Sequence, residues 1–148
     1  MANVQPPLLD PEYRSGYNDY RYEKDKGLIE MFLTWHKRLN RLRYLKRALA
    51  LVAVETILAM VIGFATMDFA ANDLSTTGYV LMSLMFIAFA PLHYMLIIRR
   101  LHDLNKTGWF ALIMLIPVVN TIFSLYLLFA PGTIGSNDYG ADPIECVD

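Results

Sequence analysis

Residues 48–67 read ALALVAVETILAMVIGFATM. About twenty residues in succession carry one acid, Glu55, and no base. As a helix they extend about 30 Å, the thickness of a bilayer's hydrocarbon core. Backbone polar groups in lipid must be satisfied within the segment, so such a run is expected to be a transmembrane helix. Downstream, Asp68–Thr77 forms a short acidic connection. Residues 78–98, GYVLMSLMFIAFAPLHYMLII, then make a second span, with Pro91 expected to kink it, and Arg99 and Arg100 stop it. After the loop Arg99–Thr107 comes a third apolar run, 108–130, interrupted by Pro117 and Asn120. That run is either one kinked crossing of about 35 Å or two half-helices forming a re-entrant hairpin. Half-helices need surrounding protein, so one crossing is expected.

Upstream of the first span, Leu28, Met31, Phe32, Trp35, Leu39, Leu42 and Leu45 recur mostly at steps of three and four. That spacing predicts an amphipathic basic helix over 27–47, lying in the interface of an anionic leaflet. Residues 1–26 are polar, contain Pro6, Pro7 and Pro11, and read as a disordered arm with no secretory signal. Residues 131–148 form an acidic tail. The fold class expected is therefore all-α: a polytopic helical membrane protein with three transmembrane helices (about 48–67, 78–98 and 108–130, the third kinked or re-entrant), preceded by an interfacial helix.

Composition agrees. Hydrophobic residues make up 55% of the 148 and charged residues 18%. The two figures are compatible because the charges are segregated: within the apolar stretches only Glu55 and His93 can be charged near neutral pH. A net charge of −1 gives no basic field for nucleic acid. One cysteine, Cys146, excludes an internal disulfide framework and a multi-cysteine zinc site. Basic loops stay cytoplasmic. The segment with Lys37, Arg38, Arg41, Arg43, Lys46 and Arg47 and the loop with Arg99, Arg100 and Lys106 are expected inside, and Asp68–Thr77, with no Lys or Arg, outside. A third crossing would export the tail. A hairpin would instead bring Asp138 and Asp142 to the side of Arg99 and Arg100.

The second loop carries recognisable residues. Arg99-Arg100-Leu101-His102-Asp103 is followed by Gly108-Trp109, Ile116-Pro117, and Gly132-Thr133-Ile134-Gly135-Ser136-Asn137-Asp138-Tyr139-Gly140-Ala141-Asp142-Pro143. Upstream stand Arg38-Leu39-Asn40-Arg41 and Tyr44. Together these resemble the YhaH-like domain-of-unknown-function family of small bacterial inner-membrane proteins, over about residues 32–143. Lys37 stands where that family's pattern has Gly, and Ala141 where it usually has Pro. The resemblance implies a bacterial inner (cytoplasmic) membrane protein with no enzyme activity, and supplies no mechanism.

Glu55 and His93 lie about 10 and 8 Å inside the same cytoplasmic boundary, so the two can meet. Such a pair is a structural polar clasp or part of a proton or ion path; Asn120 is the third intramembrane polar group. Ala59 and Gly63 share the face of Glu55 and permit close helix approach, within the chain or in a homo-oligomer. Arg38, Arg41, Arg99, Arg100, His102, Asp103 and Trp109 sit at the membrane boundary. There they either fix topology or bind lipid headgroups or a partner. A metal site from His102, Asp103 and His93 lacks a known ligand spacing, and neither metal, cofactor nor catalytic residue is expected. Gly132–Gly135 reads as tight turns rather than a phosphate loop. The function expected is a structural or interaction protein of the membrane, bound to anionic phospholipid. The alternative is a small transport or channel component using Glu55 and His93.

Overall fold

A computed structural model describes residues 24–68, 71 and 73–144. A short helix α1, Leu28–Phe32, is followed by irregular chain and then by α2, Arg41–Thr66. A two-residue ladder, β1 Met67–Asp68 against β2 Asp73–Leu74, turns the chain antiparallel, pairing Met67 with Leu74. The helix α3, Thr76–Asp103, returns alongside α2. Both long helices start on side-chain caps: Asn40 accepts from the Arg43 N–H and Ser75 from the Gly78 N–H. Pro91 is carried inside α3 without ending it. A 3-10 helix, Gly108–Leu115, and a thirteen-residue helix α4, Pro117–Phe129, complete the elements.

Among the described residues α2 and α3 are the two helices long and apolar enough to cross a membrane. They pack on each other, yet most of their apolar surface faces outward: Phe64 is 79% exposed and Ile87 69%. A soluble core helix would bury such residues; a helix in lipid does not need to. The buried core lies at one end of the pair, where Leu101, Leu104, Ala111 and Leu127 meet and, beside them, Leu39, Leu51 and Leu96.

Four expectations are corrected. The helix expected over 27–47 is broken between Leu33 and Asn40. There Arg38 and Leu39 turn inward and are buried, the Leu39 N–H donates to the Arg99 carbonyl (3.1 Å), and the helix restarts at Arg41, capped by Asn40, seven residues before the expected span. The arm expected to be solvated through Lys26 is anchored at its end by Asp25, whose side chain is 1% exposed; residues 1–23 lie outside the described residues.

The third correction concerns 108–130, which does not cross as a single helix. Ile116 is extended and Pro117 opens α4, so the run folds into two short limbs. Gly108 lies against Ile98 and His102, while the carbonyls of Leu127 and Ala130 accept from Arg100. Both ends of the run therefore lie at the Arg99–Asp103 end. Asn120 explains how the apex tolerates this. Its Nδ2 donates to the Met114 carbonyl (3.0 Å) and its Oδ1 accepts from Ser124 (3.1 Å), satisfying backbone that the break leaves open. Fourth, the tail does not leave on the far side: Gly132–Pro143 packs on the same end.

Candidate membrane-interface site

Chain reversal at α2–α3 puts Arg38, just before α2, beside Asp103, the last residue of α3. The Arg38 Nε and Nη2 each lie 3.2 Å from Asp103 Oδ1. Its other contacts go to the tail: Nη2 donates to the Thr133 carbonyl (2.6 Å), and Nη1 to those of Gly135 (2.6 Å) and Gly140 (3.2 Å). One guanidinium thus ties the entry of α2, the end of α3 and the tail together. Arg100, one helical turn back, pairs with Asp103 Oδ2 and donates through Nε to the Leu127 carbonyl (2.8 Å), which fixes the end of α4. The Asp103 carbonyl accepts from both the N–H (2.8 Å) and the hydroxyl (3.0 Å) of Thr133.

The glycine-containing tail is shaped for this contact. A Cβ at Gly132 would collide with the Asp103 carboxylate. Gly140 has φ of 121°, a region closed to other residues. Asp142 is buried and braces the turn, accepting from the N–H of Gly135 (2.9 Å) and of Ile144 (2.8 Å). The hairpin alternative allowed Asp138 and Asp142 to pair with Arg99 and Arg100; on the tail side Arg38 and Arg100 donate to backbone carbonyls, and Arg99 turns to Asp25.

Arg99 faces the other way. It forms a two-pronged pair with Asp25 (2.9 and 3.0 Å) and donates to the carbonyls of Glu30 (2.9 Å) and Met31 (3.1 Å) at the end of α1. Arg47 joins it on Asp25 (2.6 Å). Burial works to raise the Asp25 pKa, but hydrogen bonds and charge from Arg99 and Arg47 outweigh it and hold the carboxyl below its ordinary range. A depressed carboxyl pKa contributes stability that is full above the unfolded value of about 3.9 and is lost as pH falls through the lower folded value. Hydrogen-exchange protection of 25–32 is therefore expected to persist from neutral pH down to about 4 and to vanish below it. Asp25→Asn should weaken protection already at pH 7. Loss in the parent protein between pH 7 and 5 would contradict this role.

Of the two roles expected for Arg38, Arg99, Arg100 and Asp103, fixing topology or binding lipid headgroups or a partner, their burial (each 2% exposed or less) leaves little open surface for the second. Their donors are directed into the protein. Arg41 remains exposed at this end, with Lys46 and Lys106. Of the metal alternative, Asp103 is held by Arg38 and Arg100, and His93 is on another partner. His93 Nε2 lies 2.9 Å from Glu55 Oε1, so the two intramembrane groups do meet. Gly63 faces Met82 of α3, so at that position the small-residue face meets its own chain. Trp109, second in the 3-10 helix, is 77% exposed. Beside it, a cavity of about 680 Å³ is bounded by α3, the 3-10 helix, the chain around Trp35 and the tail.

Sequence reasoning missed Asp25, Arg47, Thr133, Asn137 and Tyr139. For the last three the signal was present, since they lie in the motif that contains the expected tight turns.

Two apolar helices of spanning length, outward-facing apolar side chains and a charged clasp at one end define a helical membrane protein. The chain belongs to the family described as protein of unknown function (DUF805), whose model matches residues 32–141. It is similar to the inner membrane protein YhaI of Escherichia coli K12, 44% identical over 48 residues, 32% of this chain and 41% of the relative. It is also similar to the inner membrane protein YhaH of the same strain, 40% identical over 45 residues, 30% of this chain and 37% of the relative. The chain thus matches well under half the length of these relatives. No solved structure matches it.

Proposed function

We propose that the chain is a non-catalytic, multi-pass protein of the bacterial inner membrane that serves a structural or interaction role, with the clasp on the cytoplasmic face. The observation that carries this reading is the fate of the motif's charges. Arg38, Arg100 and Asp103 are turned toward one another and toward backbone carbonyls, so they hold a shape rather than offer a reactive group. Lys and Arg are concentrated at the clasp end, while the connection Asp68–Thr77 has none, which favours a cytoplasmic clasp. The re-entrant hairpin replaces the third crossing, so the tail shares that side. Exposed Arg41, Lys46 and Lys106 are placed to meet anionic headgroups. Nucleic acid and a homo-oligomer through the Gly63 face form no part of this reading.

The contact of Glu55 with His93 favours one second reading, a small transport component with this pair on a polar path. Glu55→Gln separates the two. The structural reading expects the amide to keep the hydrogen bond to His93, with membrane level and detergent stability near those of the parent and proteoliposome proton flux unchanged. Loss of a parent proton flux with assembly intact would replace the structural reading with the transport one.

A further inference from the structure

We propose that the cavity beside the clasp binds the ammonium headgroup of a zwitterionic phospholipid. The lining carries the rings of Trp35, Trp109 and Tyr139 and the residue Asp138, and it contains no Lys or Arg. Aromatic faces beside a carboxylate suit an organic ammonium, through the ring quadrupole and the opposite charge. For an anionic headgroup the same lining offers only two histidines, His36 and His102, and burial holds His102, stacked on Tyr139, toward its neutral form.

The wall is held in place before any ligand arrives. Tyr139 stacks on His102 at a ring separation of 4.0 Å and an interplanar angle of 5°. Its N–H donates to Asn137 Oδ1 (2.9 Å), and Asn137 Nδ2 donates to the His102 carbonyl (2.9 Å). Tail and α3 therefore fix the aromatic floor together, which lowers the ordering cost of binding.

A lipid is favoured over a small soluble cation by the rest of the lining. Ile98 and Leu112 extend the cavity along the apolar start of the re-entrant run. About 680 Å³ is drug-sized space, far more than a simple ammonium needs. An ammonium head joined to an apolar body fills both parts.

Both tryptophans of the chain line this cavity, so its emission reports on the site. The full-length protein in detergent is titrated with short-chain phosphatidylethanolamine, short-chain phosphatidylglycerol and tetramethylammonium chloride. The ethanolamine lipid is expected to shift the emission and to bind about tenfold more tightly than the glycerol lipid. Asp138 is exposed and takes none of the hydrogen bonds that hold the tail, so Asp138→Asn should fold normally and bring the two lipids within about twofold. Equal affinity of the parent for both lipids overturns the proposal, as does a preference that survives Asp138→Asn. Tetramethylammonium binding as tightly as the lipid overturns the lipid source and assigns the cavity to a soluble cation. The inference rests on the membrane placement proposed above, but the titration is done in detergent and is read independently of topology.

Discussion

Asp103→Ala is expected to release the tail and to destabilise the protein by about 3–5 kcal/mol, the cost of breaking a buried ion pair from one side. Asp103 is the shared counter-charge of two guanidiniums, Arg38 and Arg100, both essentially unexposed. Without it, two like charges stay buried side by side, and carbonyl acceptors alone do not neutralise them. The clasp can relieve this by hydrating the arginines, which requires Thr133, Gly135 and Gly140 to leave Arg38. Two measurements check the result: the thermal unfolding midpoint in detergent, and limited proteolysis, which should cut within 132–143 in the variant before the parent. Arg38→Lys should show a weaker form of the same effect, because an ammonium cannot span one carboxylate and three carbonyls with a fixed fork. A parent-like midpoint together with a protected tail in Asp103→Ala would falsify the shared-counter-charge account.

Cys146 should resist a membrane-impermeant maleimide in intact spheroplasts and react fully after lysis. The residue lies outside the described residues, but Pro143 is buried at the clasp and Ile144 is two positions away from the thiol. The tail is bound at the end that carries Arg99 and Arg100, and positively charged ends stay cytoplasmic. The outcome is close to all-or-none, since a bilayer either separates the reagent from the thiol or does not. Labelling in intact cells would restore a third crossing and contradict the contact of Arg100 with the Leu127 and Ala130 carbonyls.

The two spans were legible because hydropathy over twenty residues is a property of neighbours in the chain. Glu55 and His93 were placed at one depth by counting residues from a common boundary, and the structure joins them. The third run defeated the same arithmetic. Its length fits a crossing, and what redirects it is distant: Arg100 collecting carbonyls 27 and 30 residues away. Pro117 and Asn120 were local signs of a break, but the role of Asn120 in covering the apex depends on the bend already existing. The expected interfacial helix failed for a related reason. Its apolar spacing is real, yet burial of Arg38 against a residue 65 positions away outweighs one continuous helix. Asn40 was the local signal for the true start, a capping side chain just before the helix. The tail showed its turns through Gly132 and Gly135, but not what the turns wrap around.

The sequence distance across the clasp has a consequence for synthesis. Arg38 donates to tail carbonyls that lie 95 to 102 residues later in the chain. A ribosome adding about 5–20 residues per second therefore leaves that guanidinium waiting for about 5–20 seconds, while α2, α3 and the re-entrant run are made. During that interval hydration at the cytoplasmic surface is the arginine's alternative partner. Closure is a late, post-insertion event that couples the last-made turn to the entry of α2. A chain stopped before Thr133 has its spans but lacks the latch.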